Sequence, residues 1–457
     1  MRILHYSLGL PPYRSGGLTK YCTDLMVEQT KSNNEVFLLF PGKMNFIKED
    51  NIKIKFYRDY KNIRVYELVN PLPVPILKGI SNPKLFTKSC DKEVIKSFLK
   101  NIRVDIVHIH TFMGLYKEFL EVCKELDIKI VFTSHDYFGL CSKVNFINYK
   151  GELCEEVNFE ECSKCNLSGD SIKKIKILQS RQYRYIKDKG IIGKLKKYLK
   201  ANSNVNLQEE NQCIVENTSG INEYIALNKY YHSMFKYIDR IFFNSELAKS
   251  IYRKYIYSDG VTIPITHGGI KDNRKIKHYN QSQILRLTYL GPYKEYKGFK
   301  FLTDVMRELE MEGYNKIILN AYGDANTTLE TPKNMVINGK YNYLDLSSIF
   351  ENTDMLIVPS IWNETFGFIT LEALSYGVPV LVTNKVGSKD LICDNEIDKG
   401  EIVNLCKDMV KNRIKKVYKD KSILQKYNHN IVNDNFEYLL DKHCANVCSE
   451  YKKLLEE

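Results

Sequence analysis

Two carboxylates and a glycine lie close together in residues 364–372, which read Glu-Thr-Phe-Gly-Phe-Ile-Thr-Leu-Glu. An apolar run precedes Glu364 and a helical pattern carries Glu372, so this segment is predicted to run from strand through loop to helix. Gly367, at the predicted helix start, has no Cβ to keep a phosphate away from the helix amides. Glu364 and Glu372 could then accept hydrogen bonds from hydroxyls on either side of the phosphate. The pattern fits a nucleotide-sugar site, and it fits an ordinary acidic helix N-terminus equally well.

A lysine occupies a comparable position after another predicted strand. The strand Leu285–Leu290 is followed by a loop that ends at Gly298, and Lys297 lies directly ahead of the next predicted helix. Positive charge at a helix start suits a diphosphate. The alternative is a solvated lysine, one of 67 basic residues in the chain. Lys297 and the 364–372 segment follow strands of the same predicted sheet, which favours the diphosphate interpretation.

A pair of glycines, Gly16 and Gly17, lies between the predicted first strand and first helix. Glycines at a helix start could let a substrate lie against the backbone, or could simply make a tight turn. The GxGxxG fingerprint of dinucleotide-binding domains is absent, which argues against a nicotinamide-dependent enzyme.

Three histidines follow or occupy predicted strands of the first half. His135 comes two residues after the strand Lys129–Thr133. Because the carboxyl ends of parallel strands face the ligand crevice, its imidazole is expected to point into that crevice. It could there orient a hydroxyl or share a proton, and a structural role is the alternative. His108 and His110 alternate within their own predicted strand and are expected to pack in the core.

The elements that must position these residues are short apolar runs that alternate with helical patterns. Such alternation predicts an α/β fold with parallel sheets covered by helices, and the pattern occurs in two sets. We expect two Rossmann-like domains facing a cleft. The predicted first domain is 1–270 with an insertion at 141–228, followed by a linker at 271–283 and a second domain at 284–427. Closing helices at 428–457 are expected to pack back toward the first domain.

The composition is that of a globular protein with a basic surface. The 457 residues are 44% hydrophobic and 27% charged, with a formal net charge of +12, which suits polyanionic partners. The N-terminal residues lack a signal-peptide layout, and no apolar run is long enough to span a bilayer. The sequence therefore predicts a cytoplasmic protein that is at most peripheral, on the inner face of the membrane. Twelve cysteines in a chain of this length do not indicate a disulfide scaffold.

Four cysteines cluster within the predicted insertion: Cys141, Cys154, Cys162 and Cys165. Four thiols in a reducing compartment suit a tetrahedral structural zinc, although their spacing is irregular. Free thiols, disulfides and an iron–sulfur cluster are the alternatives. A zinc here would be structural, because four thiolates leave no open coordination position.

The stretch 171–200 is strongly basic, with eleven Lys and Arg residues against one acid, Asp188. Isoleucine, leucine and tyrosine are interleaved with these charges, which favours an amphipathic element on an anionic membrane surface. A solvated basic helix is the alternative, and nucleic-acid binding is the less favoured third interpretation.

The motifs described above, taken in order, resemble glycosyltransferase family 4, retaining enzymes of the GT-B fold. The resemblance covers nearly the whole chain, and its most specific part is two glutamates separated by seven residues. The matching segments are Pro11-Pro12 through Gly16-Gly17, His135-Asp136, Asn244-Ser245, His267-Gly268-Gly269-Ile270, Gly291 through Lys297-Gly298, and Glu364 through Glu372. A subset of the family also resembles this chain in having a Cys-rich loop after a His-Asp-Tyr segment.

The resemblance implies a role for each site residue. Lys297 would bind the donor diphosphate, Glu364 the donor sugar and Glu372 the nucleoside ribose. Gly16 and Gly17 would approach the diphosphate from the first domain, and His135 would lie beside the reacting centre with Glu364 as the second catalytic residue. The amides of three consecutive residues would hold the sugar or phosphate: Phe366, Gly367 and Phe368.

One departure from the family concerns the diphosphate contact. Many members have Arg directly after the glycine that matches Gly291, and this chain has Pro292. Lys294 is the candidate to replace that Arg. In the family the nucleotide leaves from the face that the acceptor attacks, and electrostatic support of the departing diphosphate dominates catalysis. No catalytic metal is expected when lysine and helix amides supply the positive field.

The sequence therefore predicts a retaining glycosyltransferase that moves a hexose from a nucleotide-diphosphate sugar, with UDP or GDP as the nucleotide. The acceptor would be a cell-surface polysaccharide or a lipid-linked glycan. One alternative is another GT-B enzyme, a sugar-nucleotide epimerase or a phosphorylase, although no pyridoxal-binding lysine motif is present. A second alternative is a non-catalytic subunit that binds a nucleotide sugar.

Overall fold

The computed structural model describes residues 1–45, 51–76, 78–191, 220–280, 284–324, 327, 329–394 and 397–457. Contacts divide the chain into two compact units. Unit 1 comprises Met1–Phe243, Ile251–Ile263 and Cys444–Glu457, and unit 2 comprises Asn244–Ser250 and Pro264–His443. None of the helices in the described ranges is both long and apolar enough to cross a bilayer.

Unit 1 contains an eight-stranded sheet in the order β3-β4-β2-β1-β5-β6-β7-β8. All neighbours pair in parallel except β3 and β4, which form an antiparallel hairpin. The strands are β1 (Arg2–Tyr6), β2 (Glu35–Pro41), β3 (Lys53–Tyr60), β4 (Ile63–Val69), β5 (Ile106–Ile109), β6 (Lys129–Thr133), β7 (Arg240–Phe243) and β8 (Gly260–Thr262). The central strands are buried along their length, which explains their continuous apolar runs.

Helices cover this sheet wherever the sequence has an apolar stripe with helical spacing. They are α1 (Gly17–Lys31), α2 (Lys92–Ile102), α3 (Lys117–Glu125), α4 (Phe159–Cys165), α5 (Ile172–Gln179), α6 (Arg181–Asp188) and α7 (Ile221–Phe235). In α2, for example, Asp91 caps the N-terminus by accepting from the Glu93 amide, and Ile95, Phe98, Leu99 and Ile102 are buried. Two more helices, α8 (Glu246–Tyr252) and α14 (Leu440–Glu456), have residues in both units.

Unit 2 contains a six-stranded parallel sheet in the order β11-β10-β9-β12-β13-β16. Its strands are β9 (Leu285–Leu290), β10 (Ile317–Tyr322), β11 (Met335–Gly339), β12 (Met355–Val358), β13 (Val380–Thr383) and β16 (Gly400–Val403); β14 (Cys393–Asp394) and β15 (Ile397–Asp398) form a separate antiparallel pair. Its helices are α9 (Phe299–Met311), α10 (Leu346–Glu351), α11 (Phe368–Leu374), α12 (Lys407–Lys419) and α13 (Ser422–Asn433). The predicted α/β class with two Rossmann-like units is thereby confirmed.

The contact division differs from the expected domain limits at several segments. Residues 244–250 and 264–270, expected in the first domain, lie in unit 2. Ser245 belongs there because its Oγ donates to the Thr365 carbonyl at 2.8 Å. The described part of the expected linker, 271–280, also lies in unit 2, where Arg274 donates to the Ile431 carbonyl at 2.6 Å. Of the expected closing helices at 428–457, only residues 444–457 belong to unit 1.

The described part of the predicted insertion belongs to unit 1, and hydrogen bonds between buried polar groups attach it to the rest of that unit. Gln179 accepts from the Val74 amide at 3.1 Å and donates to the Gly42 carbonyl at 3.1 Å. Arg184, on α6, is 3% exposed and donates to Glu67, which is 1% exposed, at 2.9 Å. The basic stretch is therefore partly an internal element of unit 1, while residues 192–200 of it lie outside the described ranges.

Candidate active site

Glu364 is the centre of a buried polar group in unit 2. It follows β12, is 5% exposed, and its Oε1 accepts from Lys297 Nζ at 2.9 Å and from Ser360 Oγ at 2.6 Å. The backbone of Glu364 forms a β-bridge with that of Val386. This bridge joins the loop that carries the carboxylate to a neighbouring loop. Lys297 Nζ also lies over the Trp362 ring, 5.1 Å from its centroid. The structure thus brings the predicted lysine and the predicted sugar-binding glutamate into direct contact.

The loop that carries Lys297 is held by a glycine with an uncommon conformation. Gly298 caps α9 with φ +76°, and a Cβ at this position would lie 1.8 Å from the Pro359 carbonyl oxygen. The backbone of this loop therefore lies directly against the end of β12, and only glycine permits that approach. This contact places Lys297 beside the residues that follow β12, including Glu364.

Gly298→Ala is expected to lower the free energy of unfolding by about 3 kcal/mol, because the new methyl meets a carbonyl and the residue keeps a positive φ. Gly313→Ala is the matched control: Gly313 follows the other end of α9 with φ +83° and has open space around it. Its expected loss is about 1 kcal/mol. Urea denaturation measures both, and equal losses would show that the Pro359 contact is unimportant.

Three small residues, Ser245, Gly387 and Ser388, contact the backbone of the 364–367 loop. The Thr365 carbonyl accepts from Ser245 Oγ, and a Cβ on Gly387 would lie 2.4 Å from that carbonyl oxygen. Ser388 Oγ donates to the Gly367 carbonyl at 3.0 Å. Gly367 itself has φ +97°, and a Cβ there would lie 3.0 Å from Glu364 Oε2. Glycine at 367 therefore keeps the second carboxylate oxygen of Glu364 accessible to a ligand.

Glu372, the second carboxylate of the motif, is held by a histidine. It lies on α11, is 8% exposed, and its Oε1 is 3.2 Å from His267 Nε2. The Gly269 amide donates to His267 Nδ1 at 3.1 Å, so Nδ1 carries no proton and the Nε2 proton is donated to Glu372. His267 was part of the recognised motif, but its role was missed, because its partner lies 105 residues away in the chain. Phe368 packs edge-on against the same imidazole.

The predicted residues of the first half all lie in unit 1. Gly16 is the N-cap of α1 with φ +109°, and no side chain caps this helix. Gly16 and Gly17 are exposed, which is compatible with a ligand that approaches the amides of α1. His135 is half-buried just beyond β6, and its Nε2 lies 3.2 Å from His110 Nδ1.

The four predicted metal ligands line one cavity of unit 1: Cys141, Cys154, Cys162 and Cys165. Burial, together with a smaller effect of the neighbouring thiols, raises the pKa of Cys154 and Cys162 to about 12. In the described ranges, the groups with three potential metal-ligand atoms within 4.8 Å of one another are histidine-centred and do not include these cysteines. The four sulfurs therefore share a cavity but are more widely spaced than in a closed tetrahedral site.

Family models match both units of the chain. Residues 271–435 match the model described as glycosyl transferases group 1, and residues 15–152 match glycosyltransferase family 4. The first match contains the Lys297–Glu364 group and Glu372, and the second contains Gly16, Gly17 and His135.

Solved glycosyltransferase structures align with the chain over nearly its full length. Sucrose-phosphate synthase from Thermosynechococcus elongatus has a TM-score of 0.56 at 12% identity, covering 100% of this chain and 99% of that one. WaaG, a glycosyltransferase involved in lipopolysaccharide biosynthesis, has a TM-score of 0.54 at 14% identity, with 97% and 99% covered. The chain has the GT-B fold.

Curated proteins match parts of this chain at higher identity but over shorter lengths. An uncharacterized 41.2 kDa protein in the cps region of Klebsiella pneumoniae is 29% identical over 125 residues, which is 26% of this chain and 34% of that protein. An uncharacterized glycosyltransferase of Methanocaldococcus jannaschii is 28% identical over 132 residues, covering 27% and 31%. The chain thus spans about a third of the length of these relatives.

Proposed function

We propose that this GT-B protein is a retaining glycosyltransferase that moves a hexose from a nucleotide-diphosphate sugar to a cell-surface polysaccharide or lipid-linked glycan. The observation that carries the proposal is the hydrogen-bonded group of Lys297, Ser360 and Glu364 beside Gly367. Glu372 lies on the helix that follows, and its partner His267 lies between β8 and β9. A cation, two oriented carboxylates and a Cβ-free backbone are the groups that a diphosphate and its flanking hydroxyls require.

Each residue has one task in this proposal. Lys297 neutralises the diphosphate as charge develops on it, which is the main electrostatic contribution to catalysis. Glu364 accepts hydrogen bonds from the donor sugar, and Glu372, oriented by His267, accepts them from the ribose. Backbone amides at Phe366, Gly367 and Phe368 contribute to binding the sugar or phosphate.

Unit 1 would supply three further residues. Gly16 and Gly17 would bind the diphosphate at the start of α1, and His135 would act beside the reacting sugar. In unit 2, Lys294 would take the place of the Arg that many family members have after Gly291. These groups provide the positive field, so the proposed reaction proceeds without a catalytic metal.

Relatives support the choice of donor and acceptor. The Anabaena protein HepE, solved in complex with UDP, has a TM-score of 0.57 at 11% identity, with 99% of this chain and 100% of that chain covered. The relative from the Klebsiella cps region and the lipopolysaccharide enzyme WaaG favour a surface-glycan acceptor. We therefore propose a UDP-sugar or a GDP-sugar as the donor.

Turnover of the donor tests the proposed function. Purified protein is incubated with UDP-glucose or GDP-mannose, with and without a lipid-linked glycan extract, and release of the nucleoside diphosphate is measured. We expect slow release without acceptor and faster release with it. Binding of a nucleotide sugar with no turnover under any condition would identify a non-catalytic binding subunit and overturn the proposal.

His267→Leu is expected to weaken UDP binding about tenfold, because Glu372 loses a charge-assisted hydrogen bond that orients it toward the ribose. Isothermal titration calorimetry measures the Kd. His429→Leu is the control, since His429 is an exposed histidine on α13. Equal Kd values for His267→Leu and wild type would show that Glu372 is oriented by other contacts.

We also propose a structural zinc at the Cys141, Cys154, Cys162 and Cys165 cavity. Thiolates bound to zinc at about 2.3 Å lie about 3.8 Å from one another, so the sulfurs would draw together on binding. Because burial holds these thiols in the protonated form, zinc binding would release protons. A zinc here would fix the loop that begins shortly after His135.

Elemental analysis of protein purified without chelators is expected to find about one zinc per chain. Cys162→Ser should lose this zinc. Cys123→Ser, which replaces a fully buried thiol on α3 outside the cavity, should keep it. A wild-type protein with no zinc, or a Cys162→Ser protein that retains it, would contradict the proposed site.

We further propose that the protein is cytoplasmic and that the basic stretch touches an anionic membrane surface. Within its described part, Ile177, Tyr185 and Ile186 are exposed, and Lys176 and Lys187 adjoin the two isoleucines. Cofloatation with liposomes that contain anionic lipid tests this interaction, and Ile177→Ser with Tyr185→Ser should reduce the floated fraction. Equal flotation of both proteins would contradict membrane contact through this surface.

A further inference from the structure

Two buried arginines of unit 1 lie against the same tyrosine ring. Arg14, in the loop between β1 and α1, is 7% exposed, and Arg184, on α6, is also buried. Their guanidinium carbons lie 4.5 Å and 5.2 Å from the centroid of the Tyr13 ring. The Tyr13 hydroxyl donates to the Leu178 carbonyl at 3.1 Å, which joins this loop to the basic stretch. Two positive charges are therefore buried beside one ring.

The two arginines differ in their counter-charges. Arg184 Nη2 donates to Glu67 Oε1 at 2.9 Å, and the other carboxylate oxygen of Glu67 accepts from Arg181 at 3.2 Å. Arg14 Nε is buried without a hydrogen-bond partner, and no carboxylate in the described ranges forms an ion pair with Arg14. Glu67 is thus shared by two arginines, and the described residues leave the charge of Arg14 uncompensated.

The pKa values of the two guanidinium groups follow this difference. Burial lowers the pKa of Arg14 and outweighs the opposing effect of Tyr13, while the positive charge of Arg184 lowers it further. At Arg184 burial acts in the same direction, but the charge and hydrogen bond of Glu67 help to raise the pKa. Arginine stays charged in proteins, and a buried charge is costly unless it is paired. Arg14 therefore requires an anion that the described chain does not supply.

Arg14 lies at the edge of the sheet where α/β proteins bind their ligands. Its loop follows the carboxyl end of β1. Glu67, near the carboxyl end of β4, accepts from the amide of Lys43, which comes directly after β2. Ligands of parallel sheets bind outside the carboxyl ends of the strands. The loop of Arg14 then continues to Gly16 and Gly17, so Arg14 belongs to the ligand-binding side of unit 1.

The groups around Arg14 favour a phosphate group as the missing anion. Arg184 Nε and Nη1 are, like Arg14 Nε, buried without a hydrogen-bond partner, so two guanidinium groups have unused donors. A phosphate monoester offers three acceptor oxygens and a carboxylate only two, and a guanidinium group binds phosphate through a planar fork. The three arginines of this cluster also outnumber the two acids near them, Glu67 and Asp188.

We propose that Arg14 binds a phosphate group of the acceptor, with the Arg184 guanidinium as a second donor. The assignment to the acceptor rests on the proposed function, in which Lys297 and the glycines at the start of α1 bind the donor diphosphate. The phosphate site itself does not depend on that function. The acceptor would belong to the lipids and glycans that carry a phosphate group, such as a glycan joined to its lipid through phosphate.

Thermal unfolding of the full chain with inorganic phosphate tests the site without any sugar transfer. We expect millimolar phosphate to raise the Tm of the wild type above its value in chloride of equal ionic strength, and Arg14→Met to abolish this rise. Arg14→Lys keeps the charge but lacks the fork, and should respond more weakly than the wild type. Arg253→Met is the matched control, because Arg253 is an exposed arginine of unit 1. Equal rises in Arg14→Met and Arg253→Met would overturn the proposed site.

Lys297→Met separates this phosphate site from the donor site in unit 2. Because Arg14 and Lys297 lie in different units, Lys297→Met should keep the rise of Tm in phosphate. A rise that Lys297→Met abolishes would assign the bound phosphate to the donor site and contradict the role of Arg14.

The stability without phosphate supplies an independent test, because an unpaired buried charge destabilises the folded state. Arg14→Met removes this charge, and its unbranched side chain can still pack on Tyr13. We expect the Tm of Arg14→Met in chloride to be at least as high as that of the wild type. A lower Tm would show that the protein already compensates Arg14, and the proposal would then fail.

Calorimetry with UDP tests whether the acceptor, rather than the donor, supplies the phosphate. Arg14→Met should bind UDP with the Kd of the wild type, and weaker binding would assign Arg14 to the donor diphosphate instead. In sugar transfer, the KM for a phosphate-bearing acceptor should rise about tenfold in Arg14→Met, with kcat and the donor KM unchanged. An unchanged acceptor KM would contradict the assignment. A protein that transfers no sugar but keeps the Arg14-dependent phosphate response would refute the proposed function and support the phosphate site.

Discussion

Replacing Glu364 with Gln is expected to lower kcat for sugar transfer about 100-fold. Glu364 Oε1 accepts from both Lys297 Nζ and Ser360 Oγ, so the carboxylate is the charged partner of the lysine that is proposed to bind the diphosphate. Gln has the same size but no negative charge. It would leave Lys297 without its ion-pair partner and would present an N–H to one of the groups that now donates.

The rate of nucleoside diphosphate release under saturating donor measures this effect. Glu401→Gln is the matched control, because Glu401 is a buried glutamate of unit 2 that accepts from Tyr427 at 2.7 Å on another part of the sheet. Its expected rate is that of wild type. A Glu364→Gln protein as active as Glu401→Gln would remove Glu364 from the catalytic residues.

Glu67→Ala is expected to lower the free energy of unfolding of unit 1 by about 3–5 kcal/mol, since it leaves the buried Arg184 guanidinium without its counter-charge. Glu67 Oε1 accepts from Arg184 Nη2 at 2.9 Å and from the Lys43 amide at 2.9 Å. The Arg184 guanidinium also lies over the rings of Phe40 and Tyr57. This ion pair attaches α6, and with it the basic stretch, to the sheet.

The pKa of Glu67 shows which effect dominates at this pair. Burial acts to raise the pKa of its carboxyl, and the Arg184 charge and hydrogen bonds outweigh burial, so the pKa is lowered. Because a lowered carboxyl pKa stabilises the folded state above the unfolded pKa, this stability is present at neutral pH. It is lost as the pH falls below about 4.3 through the folded pKa.

Urea denaturation of the wild type, Glu67→Ala and the double variant Glu67→Leu/Arg184→Leu measures what the ion pair contributes to the free energy of unfolding. The double variant should recover most of the loss, because neither charge is left buried alone. Glu28→Ala is the surface control, since Glu28 pairs with the exposed Lys31. A Glu67→Ala loss no larger than that of Glu28→Ala would show that the pair does not hold α6.

The sequence predicted the sheets well where strands are buried on both faces. Lys129–Thr133 and Leu285–Leu290 were predicted with the limits that the structure has, because their apolar runs are continuous. The β3–β4 hairpin was missed because β3 lies at the sheet edge with mostly exposed side chains and has no continuous run. Its tight turn uses Lys61 and Asn62, both with positive φ, without the usual glycine signal.

The sequence predicted which residues belong to the candidate site, but not which of them contact one another. The placement of Lys297 and Glu364 after strands of one parallel sheet was enough to expect them near each other. Their ion pair and the His267–Glu372 contact join residues far apart in the sequence, and no spacing rule connects such partners. The burial of Arg184 was missed for the same reason. Its ion-pair partner, Glu67, lies on β4, far from Arg184 in the sequence.

Binding of a nucleotide sugar to unit 2 is tested most directly by a thermal-shift screen of the full chain with UDP-, GDP- and ADP-glucose. A donor at about 100 times its Kd should stabilise the folded protein by about 2.7 kcal/mol and raise its Tm. We predict that one nucleotide series raises the Tm and that Lys297→Met abolishes the shift. No shift with any nucleotide sugar, or an equal shift in Lys297→Met, would contradict the proposed donor site.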